Sequence, residues 1–341
     1  MTSGGTPAAG VGGHPFLDVY LTCFREWLDD PEVSEIMVNR PGQLLIERGG
    51  RIELHEDPQI NDQLLQRLAE QVARVSSQGV SRERPLLGAT LPNGHRVQFV
   101  APSATRGHWA LAIRRHRLVD LALEAYDHGP LLRVGQVEMP DPVDQPIRFL
   151  KEAVRRRQTI LISGGTSTGK TTFLNALLRE VPADERVIVV EDTPEVRLHG
   201  ANDVGLIAVK GDNGEALLGV DDLLQAALRL RPDRILLGEL RGKEAVSFLR
   251  AVNTGHPGSF STIHANSPEG ALEQLALMVM QSGLGLSRTD TITYARSVVD
   301  VIVQLGRQGS ERGIVAIEQT RPPVFPSESA LRAELGLSRA A

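Results

Sequence analysis

Apolar residues recur at helical spacing over residues 16–29. Phe16, Val19, Tyr20, Cys23, Phe24, Trp27 and Leu28 share one face there, and Asp30-Pro31 stops the helix. Short alternating runs over 34–38, 44–47 and 52–54 follow. They are separated by Pro41-Gly42 and Gly49-Gly50, which is the pattern of strands joined by tight turns. A second amphipathic helix is expected over 60–76, with Leu64, Leu65, Leu68, Val72 and Val75 inward. Two more strands flank Pro92-Asn93-Gly94, and 109–115 alternates like another. Mixed strands and helices with hairpin turns predict an α+β domain over 16–115.

The pattern weakens over 116–148, where Asp127, Gly129, Pro130, Gly135, Pro140, Pro142 and Pro146 interrupt it; this segment reads as a linker with one short helix near 118–126. Beyond it the character changes. Apolar runs at 159–163, 187–190, 235–237, 260–263 and 298–305 suit strands buried on both faces of a mainly parallel sheet, and helical stretches alternate with most of them. A doubly wound α/β domain is therefore expected over 149–321. The ends, 1–15 and 322–341, are rich in small residues and proline and read as a disordered and a flexible tail.

Composition narrows the function classes. Of 341 residues 41% are apolar and 23% charged, an ordinary globular balance, and the net charge is −5. That charge gives no overall basic field for a nucleic-acid backbone and argues against direct nucleic-acid binding. No apolar run reaches the roughly 18 residues of a membrane span. The one cysteine, Cys23, allows no internal disulfide and falls at a core-facing helical position.

Chemistry concentrates in the second domain. Gly164-Gly165-Thr166-Ser167-Thr168-Gly169-Lys170-Thr171 fits G-x-x-x-x-G-K-[ST], with a strand pattern directly before it and a helix pattern over 171–179 directly after. Glycines let backbone amides approach phosphate oxygens, and the following helix aims its positive end at the same anion. Lys170 offers a cation to the β- and γ-phosphates, and the Thr171 hydroxyl can ligate Mg²⁺. The loop therefore predicts ATP as substrate with Mg²⁺.

Acids stand where two parallel strands end: Glu191 and Glu195 after 187–190, and Glu239 after 235–237. An acid there can hold Mg²⁺ through water or polarise the attacking water. Gly238 occupies the position where many P-loop enzymes carry an aspartate. Arg241 follows and can neutralise charge on the γ-phosphate. His264 also ends a strand run and can donate a hydrogen bond to phosphate, or serve only structure. Neither His256 nor His264 has a partner at metal-binding spacing.

The segments from Gly164 to Thr172, from Glu191 to Glu195, from Leu228 to Gly242 and from Asn253 to Asn266 resemble the signature boxes of the type II/IV secretion ATPase superfamily. Within it the chain is most similar to the VirB-type traffic ATPase of type IV secretion systems. Pro182 to Arg186 and Leu277 to Ser282 look like the same branch. The resemblance implies a RecA-like P-loop NTPase domain and a smaller, PAS-like α+β amino-terminal domain. It implies a homo-hexamer, peripheral at the cytoplasmic face of the inner membrane, working with inner-membrane secretion-channel and coupling ATPase components. By likeness Glu239 is the Walker B glutamate, Glu191 to Glu195 supply the Asp box, and His256 and His264 the His box. Arg96 and Arg114 fall where the family places nucleotide-contacting arginines. The Gly238-Glu239 order is also the family's. A pilus assembly or retraction motor of the same superfamily and a soluble P-loop kinase are the alternatives. The kinase leaves the His box and the amino-terminal domain without a role. The single cysteine disfavours the assembly type, which carries a Cys-rich metal site.

Overall fold

The computed structural model describes residues 14–116, 122, 139–209 and 218–320. Residues 1–13 of the expected amino-terminal tail, the helix expected near 118–126 apart from Ala122, and the carboxy-terminal tail over 322–341 lie outside the described residues. The chain divides into two compact units. One comprises 1–117 and 182–238, the other 118–181 and 239–341.

The first unit opens with α1 (Pro15–Leu21), a 3₁₀ turn (Thr22–Phe24) and α2 (Arg25–Asp29). The expected single helix is thus broken, and its buried face differs from the expected one. Leu17, Leu21 and Phe24 are buried, whereas Phe16 and Val19 are 73% and 66% exposed. Leu17, Leu21 and Phe24 recur at helical spacing, so the buried face is turned by about one residue from the face drawn through Phe16 and Val19. Cys23 lies at the edge of that core, its thiol donating to the Tyr20 carbonyl at 3.3 Å. Burial pushes its pKa up to about 11.

Six antiparallel strands follow: β1 (Val33–Val38), β2 (Gln43–Arg48), β3 (Arg51–Glu56), β4 (Leu86–Thr90), β5 (Arg96–Val100) and β6 (Ala110–Arg114). Their order is β3-β2-β1-β6-β5-β4. Gly49 and Gly50 both take positive φ in the β2–β3 turn, a conformation that a side chain would strain. Helix α3 (Asp62–Val75) is capped by the Asn61 side chain, which accepts from the Leu64 amide at 2.9 Å. It buries Leu65, Leu68, Ala69, Val72 and Ala73 in the core shared with α1 and the sheet.

The same unit holds β8 (Val187–Glu191), flanked in parallel by β9 (Val204–Ile207) and β10 (Arg234–Leu240), together with α6 (Val220–Ala227). The division between units runs through β10 after Gly238. At the amino ends of β8 and β10 the fully buried Arg234 meets Glu185 at 2.6 and 3.1 Å. Arg186, also fully buried, donates from its backbone to Asp233 at 2.7 Å and from its side chain to the Leu230 carbonyl at 2.7 Å. Such buried pairs contribute alignment more than stability.

The second unit contains α4 (Pro146–Arg155), β7 (Ile160–Gly164), α5 (Lys170–Leu178), α7 (Glu244–Asn253), β11 (Phe260–Ile263), α8 (Pro268–Gln281), α9 (Arg288–Val298), β12 (Val301–Gln308) and β13 (Glu311–Gln319). Strand β7 lies between β11 and β12, parallel to both, and β13 pairs antiparallel with β12. All five residues of β7 are buried, as its unbroken apolar run requires. The strand expected to begin at Val298 begins at Val301 instead, because Val298 is the last residue of α9. Strands β9 and β13 and helix α4 were not separately legible. The half-exposed β13 carries too few inward residues to alternate clearly.

Candidate functional site

The loop leaving β7 turns sharply. Ser167 takes φ +61° and Gly169 φ +88°, and α5 begins directly after with no side-chain cap on its first amides. Thr168 closes the turn by donating its hydroxyl to the Gly165 carbonyl at 2.9 Å. The loop is packed so closely that a Cβ on Gly164 would collide with the Thr168 hydroxyl. Successive amides in left-handed and helical conformation at a helix start form an anion-binding concavity. Thr166 and Thr172 are exposed and Thr171 half-buried beside it.

Lys170 lies on this loop. Its ammonium donates to the carbonyls of Gly164 and Gly165 at 3.0 and 3.2 Å. It also lies 3.3 Å from His264 Nδ1. Burial lowers its pKa, nearby Glu239 opposes that shift, and Arg241 adds to it. The ammonium is also 3.5 Å from His264 Nε2, so it lies over the ring rather than beyond one nitrogen, and Nε2 itself lies 2.6 Å from Glu239 Oε1. The tautomer with its proton on Nε2 donates to Glu239. Arg241 holds the second Glu239 oxygen. Glu244 in turn shapes the strand exit, accepting from the amides of Arg241 and Gly242 at 2.6 and 2.7 Å. Lys170, His264, Glu239 and Arg241 thus form one continuous polar chain beside the phosphate loop.

Arg312 on β13 also reaches this loop and donates to the Ser167 carbonyl at 2.9 Å. No motif marks it in the sequence, since it lies far along the chain on a polar edge strand.

His256 is not part of this group. Phe260 begins β11 opposite Ile160, the first residue of β7. His256 precedes Phe260, so it stands at the amino end of these strands, and the phosphate loop leaves from their carboxyl end.

The remaining expected residues belong to the first unit. Glu191 ends β8 and is only 3% exposed. Its Oε1 accepts from the amides of Glu195 and Val196 at 2.9 and 2.8 Å, and its Oε2 binds the Arg106 guanidinium. Sequence reasoning did not single out Arg106, which lies in the turn before β6. Glu195 itself is exposed. Arg96 and Arg114 stand opposite each other on β5 and β6, both exposed. Arg114 Nε lies 3.6 Å from Glu35. Gly238 has a local reason to be glycine, because a Cβ there would come within 3.2 Å of Glu191 Cγ. An aspartate at this place would press on the neighbouring strand.

The donor set fits a magnesium triphosphate. Open backbone amides and an ammonium suit the phosphates, and the hydroxyl of Thr171 with the carboxylate of Glu239 supplies the hard oxygen atoms that Mg²⁺ prefers.

Comparison with known proteins identifies the family. A sequence profile of the family described as type II/IV secretion system protein matches residues 23–320. The chain is 39% identical over 320 residues to the type IV secretion system protein PtlH of Bordetella pertussis, covering 88% of this chain and 94% of that protein. It is 36% identical over 307 residues to the type IV secretion system protein VirB11 of Bartonella henselae, covering 82% of this chain and 86% of that one. Among solved structures, the VirB11 ATPase of the Brucella suis type IV secretion system, in complex with sulphate, superposes with a TM-score of 0.79 at 34% identity. That match covers 90% of this chain and 95% of the other.

Proposed function

The chain belongs to the type II/IV secretion system protein family, and on that premise we propose that it hydrolyses ATP to drive a type IV secretion system. The observation that carries this reading is the polar chain Lys170–His264–Glu239–Arg241 lying against an uncapped, glycine-lined helix start. Amides of the loop and the Lys170 ammonium bind and orient the phosphates. Thr171, with help from Glu239, would hold a Mg²⁺ ion accompanying ATP, which would supply further charge neutralisation. Glu239 orients the attacking water, and His264 fixes the carboxylate while remaining within reach of Lys170. Arg241, largely exposed, is placed to meet charge developing on the γ-phosphate.

The functional division we favour is 16–115 as amino-terminal domain, 116–148 as linker and 149–321 as ATPase domain. In support, the six-stranded sheet lies wholly in the first, and the loop, Glu239 and His264 wholly in the third. Among the described residues no helix is long and apolar enough to cross a membrane. We assign the protein as a homo-hexamer, peripheral at the cytoplasmic face of the inner membrane, with secretion-channel and coupling ATPase components as partners. By family likeness Arg96 and Arg114 are assigned to nucleotide contact.

The test is direct. Purified protein should release phosphate from ATP only with a divalent cation, and its mass with ATP should be that of a closed ring. Absence of both nucleotide binding and turnover would overturn the assignment.

A further inference from the structure

We propose that Arg106 and Glu191 form a positioning pair that fixes the acidic loop after β8, leaving Glu195 as the acid of that loop that takes part in ATP hydrolysis. The catalytic half of this inference rests on the ATPase reading; the positional half does not.

Glu191 and Glu195 are equivalent candidates in the sequence, but their surroundings separate them. The Glu191 carboxylate is buried, and three donors already hold it: the amides of Glu195 and Val196 on one oxygen and the Arg106 guanidinium on the other. A carboxylate so engaged cannot orient a water without leaving buried donors unpaired. What it does instead is bend the chain. By gathering the amides of Glu195 and Val196 it folds residues 192–196 back over the end of β8, and Val196 is buried as a result. Glu195 is the exposed acid that this bend displays.

The neighbouring strands are cut to fit the pair. On β9, a Cβ at Gly205 would run into the Arg106 side chain, within 2.7 Å of Cδ and 3.0 Å of Cγ. On β10, a Cβ at Gly238 would press Glu191 Cγ at 3.2 Å. Each strand flanking β8 therefore omits a side chain where the pair passes. The turn that carries Arg106 is itself anchored to β9 by a backbone bridge between Thr105 and Leu206. Its Arg106 side chain is 26% exposed against 3% for Glu191, so the arginine is the member that can be altered without opening the core.

Hydrogen exchange and kinetics on the full chain test this together. In Arg106→Ala the amides of Glu195 and Val196 should exchange about tenfold faster than in wild type. Arg106→Ala and Glu191→Gln should each lower kcat roughly tenfold with KM for ATP within about threefold, and the double variant should be no worse than the worse single. Arg106→Lys should recover most of the loss. Glu195→Gln should lower kcat on the order of 100-fold while still binding ATP. Unchanged exchange in Arg106→Ala overturns the pair. A Glu191→Gln variant more impaired than Glu195→Gln, with Arg106→Ala at wild-type rate, makes Glu191 the acting acid instead. Wild type without any ATP turnover defeats the ATPase reading, and the exchange result still decides the pair.

Discussion

His264 contacts both Glu239 and Lys170: its Nε2 lies 2.6 Å from the Glu239 carboxylate, and the Lys170 ammonium lies over the ring, 3.3 Å from Nδ1 and 3.5 Å from Nε2. An imidazole so placed buttresses both the carboxylate and the ammonium. His264→Ala should therefore cost turnover more than affinity. We expect kcat to fall about 10- to 100-fold and ATP affinity to stay within about threefold, measured by steady-state hydrolysis and nucleotide titration. Loss of binding with kcat preserved would assign the ring to substrate capture.

Glu239→Gln keeps the size and one acceptor of the carboxylate but removes its charge. The variant should bind ATP and hydrolyse it on the order of 100-fold more slowly, read out by single-turnover assay. Wild-type turnover would take Glu239 out of the reaction.

Lys170→Ala removes the one ammonium held on the Gly164 and Gly165 carbonyls. Hydrolysis should fall to background and ATP affinity by at least about tenfold. The melting temperature should move by no more than about 3 °C, since what is lost is chiefly hydrogen bonding to two loop carbonyls.

The phosphate loop and the strand-end glutamates were legible in the sequence because their chemistry is local: a strand, a tight turn and a helix follow one another along the chain. Arg106 and Arg312 were not, because each acts on a partner far away in sequence and neither sits in a periodic or motif-bearing segment. His256 shows a related limit. Family likeness groups it with His264, but the four-residue buried strand β11 stands between them and keeps them at its opposite ends. The first helix buries the face through Leu17, Leu21 and Phe24, and the adjacent Phe16 and Val19, apolar but outward, blur that face in the sequence.

Gly238 explains a departure that spacing alone left as a family habit. Gly238→Ala should destabilise the fold by about 1–2 kcal/mol, because the new methyl meets the Glu191 stem at 3.2 Å in a packed sheet. Urea unfolding measures this; a neutral substitution would mean that β8 and β10 can part without cost.

Glu35 makes stability depend on pH. It is buried on β1, its Oε2 has no hydrogen-bond partner, and burial raises its pKa from 4.5 to about 7 against the opposing pull of Arg114. The folded chain then holds a proton that the unfolded chain has released between these values, so stability falls as pH rises from about 4.5 to about 7 and is level above. Glu35→Gln should abolish this contribution. The variant should be more stable than wild type at pH 8, by an amount on the order of 3 kcal/mol at most, with little difference at pH 4.5. Denaturant midpoints at the two pH values check the sign.

The guanidinium of Arg312 grips the Ser167 carbonyl from the outermost ribbon of the second unit. Ser167 takes a left-handed conformation, so its peptide has little freedom to rotate while that grip lasts. Whatever re-aims this carbonyl when phosphate arrives must also tug the β12–β13 hairpin, and a label at its tip would register the arrival without touching nucleotide.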